Sequence, residues 1–181
     1  MESTDVLVIG SGIAGLCAAI EAARTGATVT VASAGKTMSG SSFFPGTWGL
    51  GLIGPVDEDD EQDLIDTILA VGGGVADPEL VQTFVHGIPQ AIDWLEQDLG
   101  VELQRPQSAK SAQQKQFIPC FDHKTRMWRG LTRKPLEDAL TTWIESLGIR
   151  LLPRHELIDL VEDTNGRITG TVLYDLTENR I

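Results

Sequence analysis

Apolar positions along the chain follow two spacings. Asp5 to Ile9 is a short run, apolar after its first residue, with the pattern of a strand buried on both faces of a parallel sheet; it stops at Gly10. From Ile13 to Thr25 the small apolar residues Ala14, Leu16, Ala18, Ala19, Ile20, Ala22 and Ala23 predict a helix able to lie close to a sheet. Gly26 stands where a left-handed cap belongs. Ala27 to Ala32 alternates as ATVTVA and predicts a second strand, after which Ser33 to Gly54, rich in Gly and Ser, predicts a long functional loop.

The segment from Val56 begins as an acidic run and continues with Leu64, Ile65, Ile68 and Leu69 at helical spacing, which places its acids at a helix N-terminus. Asp77-Pro78 is an N-cap and first-turn pair for a helix carrying Leu80, Val81, Phe84 and Val85. Pro89 is expected to open a further helix through Trp94, Leu95 and Leu99 to Gly100. Arg105 to Gln116 has no apolar period and reads as an exposed loop. Thr132 is placed to cap a helix with Leu136, Leu140, Trp143, Ile144 and Leu147 on one face, closed by Gly148. Three strands are expected at Ile149–Leu152, Glu156–Glu162 and Ile168–Asp175, the last two joined by the turn Asp163-Thr164-Asn165-Gly166.

The hydrophobic share of 41% over 181 residues is that of a globular chain with a real core. Asp and Glu outnumber Lys and Arg by 26 to 14, and the net charge of -12 argues against nucleic acid or an anionic membrane surface as a partner. Cys17 and Cys120 form no ligand-spaced cluster, and Cys17 falls in the first helix as a small core residue. Neither a metal site nor a membrane span is expected, and reduced thiols with no signal-like N-terminus point to a cytoplasmic setting.

The string GSGIAG, Gly10 to Gly15, fits G-x-G-x-x-G, and its context gives the match weight: a strand precedes it, a helix opens on it and a second strand follows. Gly10 would allow the tight turn, Gly12 would let the backbone approach a pyrophosphate with no Cβ in the way, and Gly15 would let helix and strand pack closely. The N–H groups of Ile13 and Ala14 would then face the phosphate. The acidic residue that usually ends the second strand and reads the ribose is absent from Ala32-Ser33-Ala34-Gly35-Lys36. Ser33 is the nearest candidate ribose contact, and Lys36 a candidate phosphate contact or a solvated side chain.

With the stretch DVLVIGSGIAGLCAAIEAARTGATVTV, the Gly40-Ser41-Ser42 cluster, Asp66-Thr67 and Asp77, the Trp94 helix and the run LGIRLLPRHELIDLV, the chain resembles a family of FAD-dependent flavoproteins. That family includes L-aspartate oxidase and the flavoprotein subunits of fumarate reductase and succinate dehydrogenase. The resemblance implies an α/β fold: a Rossmann-like FAD-binding domain with a parallel sheet, a helical insertion and a C-terminal β-meander, incomplete relative to the family. It implies that residues 1–181 are an N-terminal FAD-binding domain, with the capping part and its substrate-binding Arg and His residues farther on. Gly40, Ser41 and Ser42 would lie near the pyrophosphate and the isoalloxazine ring. In quinone-linked members a histidine in this loop holds FAD covalently; Ser41 stands nearest to that place here, so the FAD is expected to be non-covalent.

Two departures alter the flavin-facing surface expected from the family. Pro45 to Gly51 replaces an Ala-Gln-Gly-Gly type of run, with Trp48 either stacking near the ring or anchoring the loop, and Phe121-Asp122-His123-Lys124 replaces a His-Ser-His-Arg type of motif. His123 is thus a candidate, whereas His86 and His155 read as ordinary helix and strand residues. No catalytic residue is expected within this stretch. The leading expectation is an oxidoreductase passing a hydride between FAD and a small carboxylate substrate; a non-catalytic flavin- or nucleotide-binding module is the alternative. An NAD-dependent dehydrogenase would use the same glycine turn but calls for further βαβ repeats, in place of loop, helices and paired strands.

Overall fold

The computed structural model describes residues 3–44, 49–105 and 126–181. Cys120, His123 and most of the Arg105–Gln116 loop, together with Trp48 and Pro45, lie outside the described residues. The chain divides into two compact units, one formed by residues 1–47 with 137–181 and the other by 48–136. The sequence reading treats 1–181 as one domain; the second unit corresponds to the helical insertion expected within it.

In the first unit, β1 (Val6–Ile9), α1 (Ile13–Arg24) and β2 (Val29–Ser33) form the expected βαβ unit, with β1 and β2 parallel in the register Val6 to Val29 through Ile9 to Ala32. β5 (Arg150–Pro153) adds to the other side of β2, also parallel, so the sheet order is β1-β2-β5. Among the described residues β2 is therefore buried along its whole length, while β1, expected to be buried on both faces, pairs on one side, is half-buried and ends at an exposed Ile9. Leu16, Ala19, Ile20 and Ala23 recur at helical spacing and are the buried face of α1. Gly26, at φ +90°, closes the helix with its N–H donating to the carbonyl of Ala23.

The expected C-terminal meander is a hairpin, β6 (His155–Glu162) with β7 (Ile168–Asp175), while β5 belongs to the parallel sheet. β5 can pair with β2 because α4 (Arg133–Ser146) precedes it and returns the chain in the parallel sense. The turn between β6 and β7 is made by Asp163, whose Oδ1 accepts from the N–H groups of Asn165 and Arg167, and by Gly166 at φ +77°.

The second unit holds β3 (Gly49–Gly54), paired antiparallel with β4 (Met127–Thr132), and the helices α2 (Glu58–Val71) and α3 (Pro78–Asp93). Neither strand is evident from apolar alternation: β3 lies in the Gly-rich stretch expected to be loop, and β4 ends at the Thr132 expected to cap α4. Their pairing supplies the order that local propensity lacks, since Gly51 faces Gly130 and the Trp128 ring fills the space a Cβ on Gly130 would need.

Pro89 does not open a new helix; it sits inside α3, which continues into a π-helical turn at Trp94–Asp98. Val81, Val85, Ile88 and Ile92 form one buried stripe running through the proline, so burial along that face outweighs the lost N–H donor. Leu80 and Phe84, expected on the apolar face, are exposed. α2 and α3 are capped by Asp57 and Asp77, whose carboxylates accept from Asp60 N–H and from Glu79 and Leu80 N–H respectively.

Candidate dinucleotide cradle

The first unit brings two loops together. The turn after β1 enters at Gly10, whose φ of +104° suits glycine and whose N–H donates to the carbonyl of Ala32 at 2.7 Å. A Cβ on Gly15 would stand 2.0 Å from the carbonyl oxygen of Gly10 and 3.4 Å from Val8 Cγ1, so only glycine lets α1 start this close to β1. That is the role expected of it.

Gly12 also has a neighbour within the protein. The space of its absent Cβ faces the protein itself, with the carbonyl oxygen of Ser39 at 3.4 Å, while a Cβ on Gly40 would lie 3.6 Å from Gly12 Cα. The glycine thus allows the loop after β2 to close backbone to backbone against the first turn. Gly40, at φ +123°, precedes the tight helical turn Ser41–Phe43, in which Phe43 is buried and its N–H donates to the carbonyl of Gly40.

Three serine hydroxyls fill the junction. Ser11, only 2% exposed, donates to the carbonyl of Lys36 at 3.1 Å and lies 3.3 Å from Ser39 Oγ. Ser39 Oγ is in turn 3.4 Å from Ser33 Oγ at the buried end of β2. Ser33 and the backbone of Lys36 therefore meet the first glycine turn, while the Lys36 and Ser41 side chains are exposed and Ser42 is half-buried. Ser39 was missed by the sequence reading, for a single serine in a Gly- and Ser-rich loop carries no periodic signal.

The start of α1 differs in its electrostatics from those of α2 and α3. Its N-cap is Gly12, with no side chain to accept from the first-turn N–H groups, and its first turn holds no acidic residue. α2 and α3 both carry aspartate caps and acids in that turn. The N–H groups and positive dipole end of α1 are left for an anion, and a pyrophosphate matches them in charge and size. The cradle fits that group.

The two described histidines each have a partner of their own. His86, on α3, pairs with Glu61 at 2.7 Å, and His155, at the start of β6, places Nδ1 2.9 Å from the carbonyl of Pro153. Cys17 is half-buried on α1, not fully in the core, and burial with the nearby Glu21 carboxylate pushes its thiol up to about 11. Among the described residues no group of three or more His, Cys, Asp or Glu could hold a metal ion, and no helix is long and apolar enough to cross a membrane.

A βαβ unit with a glycine turn and an uncapped helix N-terminus defines a dinucleotide-binding protein. Residues 5–181 match the family model described as an FAD binding domain, and the chain belongs to that family, whose cofactor is FAD. It is 35% identical over 182 residues to L-aspartate oxidase of Halobacterium salinarum, covering 94% of this chain and 32% of that protein. It is 30% identical over 188 residues to the 8-methylmenaquinol:fumarate reductase flavoprotein subunit of Wolinella succinogenes, covering 100% of this chain and 29% of that one. It is also 27% identical over 184 residues to a vinyl phenol reductase of Lactiplantibacillus plantarum, covering 98% and 35%. The chain thus spans about a third of the length of these curated relatives. A flavocytochrome c3 fumarate reductase shares the fold, with a TM-score of 0.70 at 21% identity over 99% of this chain and 31% of its own.

Proposed function

We propose that this chain is the FAD-binding part of a flavoprotein oxidoreductase of the L-aspartate oxidase and fumarate reductase kind, moving a hydride between FAD and a small carboxylate substrate. The observation that carries it is the bare, uncapped start of α1 at Gly12, closed over by the Ser39–Gly40 backbone. The names of the relatives supply the redox class. FAD, when bound, supplies the hydride acceptor or donor.

This chain's own residues hold and orient. The N–H groups of Ile13 and Ala14 receive the pyrophosphate, with Gly10, Gly12 and Gly15 shaping the turn. Ser33 and Lys36 would contact the ribose and phosphates, and Gly40, Ser41 and Ser42 would border the flavin. The flavin is held non-covalently, since the Ser41 hydroxyl offers no ring nitrogen for a linkage. The carboxylate substrate is bound by a further part of the enzyme, and the protein works in the cytoplasm.

The test is purification of the full-length protein and identification of its cofactor. A yellow protein that releases FAD on acid precipitation, and whose flavin bleaches anaerobically with an amino acid or is reoxidised by an enoate dicarboxylate, is the expected result. A colourless protein would sink the cofactor reading, flavin remaining in the acid pellet would sink the non-covalent one, and flavin inert to every such carboxylate would sink the substrate class.

A further inference from the structure

Counting protons assigns a direction to the three hydroxyls at the cradle. Each serine has one proton to give and two lone pairs to receive. Ser11 gives its proton to the carbonyl of Lys36. Toward Ser39 it can only accept, so Ser39 donates to Ser11 across 3.3 Å. With that proton committed, Ser39 can only accept from Ser33, across 3.4 Å. The chain therefore runs Ser33 to Ser39 to Ser11 to the Lys36 carbonyl.

Ser33 stands at the end of β2, where a dinucleotide site commonly places a carboxylate to accept from a ribose hydroxyl. A carboxylate is an acceptor only, whereas an isolated serine is donor and acceptor alike. With its proton turned inward to Ser39, Ser33 offers a ligand lone pairs alone. We infer that Ser39 is a positioning residue that makes Ser33 an acceptor for the cofactor's ribose hydroxyl, replacing the absent acidic side chain.

Ser39 is well held for this. Its Oγ and Cβ lie 2.9 and 3.2 Å from the position a Cβ on Gly35 would take, and its carbonyl is the one seated against Gly12. The glycine at 35 is what admits the serine to the junction. Both hydroxyl spacings exceed the ordinary value of about 2.8 Å, so each bond is weak alone and the direction of the chain matters more than its strength.

This inference rests on the FAD reading, and the experiment separates the two. Apo full-length protein is titrated calorimetrically with FAD, ADP and 2′-deoxy-ADP. The wild type should bind FAD and prefer ADP over 2′-deoxy-ADP by roughly 2- to 10-fold, the worth of one hydrogen bond. Ser39→Ala should bring that preference close to one, Ser39→Thr should keep it, and Ser33→Asp combined with Ser39→Ala should restore it with a carboxylate.

A preference that survives in Ser39→Ala would overturn the inference while leaving the cofactor assignment intact, as would a wild type that binds FAD with no ribose preference. A wild type that binds neither FAD nor ADP would overturn both. Should Ser39→Ala fail to fold, Ser39→Cys, whose thiol is a weak donor and acceptor, gives the same reading at the same position: a reduced preference supports the inference, and an undiminished one refutes it.

Discussion

The carbonyl oxygen of Gly10 lies 2.0 Å from where a Cβ on Gly15 would stand, a separation no real Cβ tolerates. The atom it would meet is backbone, not a flexible side-chain end, so the clash cannot be relieved by a rotamer change. Gly15→Ala should push α1 away from β1 and destabilise the protein by about 1–3 kcal/mol, the usual range for forced overpacking. Thermal unfolding of the apoprotein checks it, and an unchanged midpoint would show that the helix start is freer than this geometry allows.

Gly12 should behave differently. Its φ of -72° and ψ of 174° are open to any residue, and its absent Cβ faces the Ser39 carbonyl at 3.4 Å. Gly12→Val should fold with a nearly unchanged midpoint but displace the Ser39–Gly40 loop and weaken FAD binding on the order of tenfold or more, about 1.4 kcal/mol. Equilibrium flavin titration against the unfolding midpoint distinguishes this from a general loss of stability.

In the second unit Arg126 is buried, bonding Asp60 through both its carboxylate and its backbone carbonyl, and Asp63 Oδ2 at 2.6 Å. These bonds tie the start of α2 to the residue before β4. Removing the cation leaves Asp60, itself mostly buried, with its Val56 N–H bond but without the guanidinium, so Arg126→Met should cost about 3 kcal/mol. Chemical denaturation reads the loss, and a change below a few tenths would mean that the aspartates find water at once.

Cys17 predicts a pH dependence. Its thiol is raised from 9.0 to about 11 in the folded protein, so the fold holds that proton more tightly than the unfolded chain does. The contribution is fully present below pH 9.0 and is lost as pH rises through about 11. Alkylation of Cys17 at pH 8, followed by site-resolved mass spectrometry, should be slow in the native protein and fast in denaturant. The stability of Cys17→Ala should fall less steeply than that of the wild type between those two pH values, and parallel curves would refute the raised value.

Local sequence was sufficient where a structural requirement has a residue-level signature. The β1 run, the small-residue face of α1 and the cap at Gly26 made the βαβ unit legible, and Asp77 and Asp163 marked a helix start and a turn because a carboxylate satisfies backbone N–H groups over two or three residues. A dinucleotide site was legible for the same reason, since the glycine turn needs nothing from distant chain; FAD in particular was implied by the resemblance, which runs along the whole chain.

What depended on partners far along the chain was decided only by the tertiary structure. Glycine-rich β3 is a strand because β4 pairs with it, and α3 runs through Pro89 because its buried face continues on both sides. β5 left the expected meander because β2 had a free edge for it. At the cradle, the spacing of the glycines placed a residue without a side chain, Gly12, at the start of α1. That the vacancy faces the Ser39 carbonyl, and that Ser11, Ser33 and Ser39 share one line of hydroxyls, follows from how the loop after β2 folds back. Hydroxyl direction is a property of neighbours brought together in space, and no spacing along the chain encodes it.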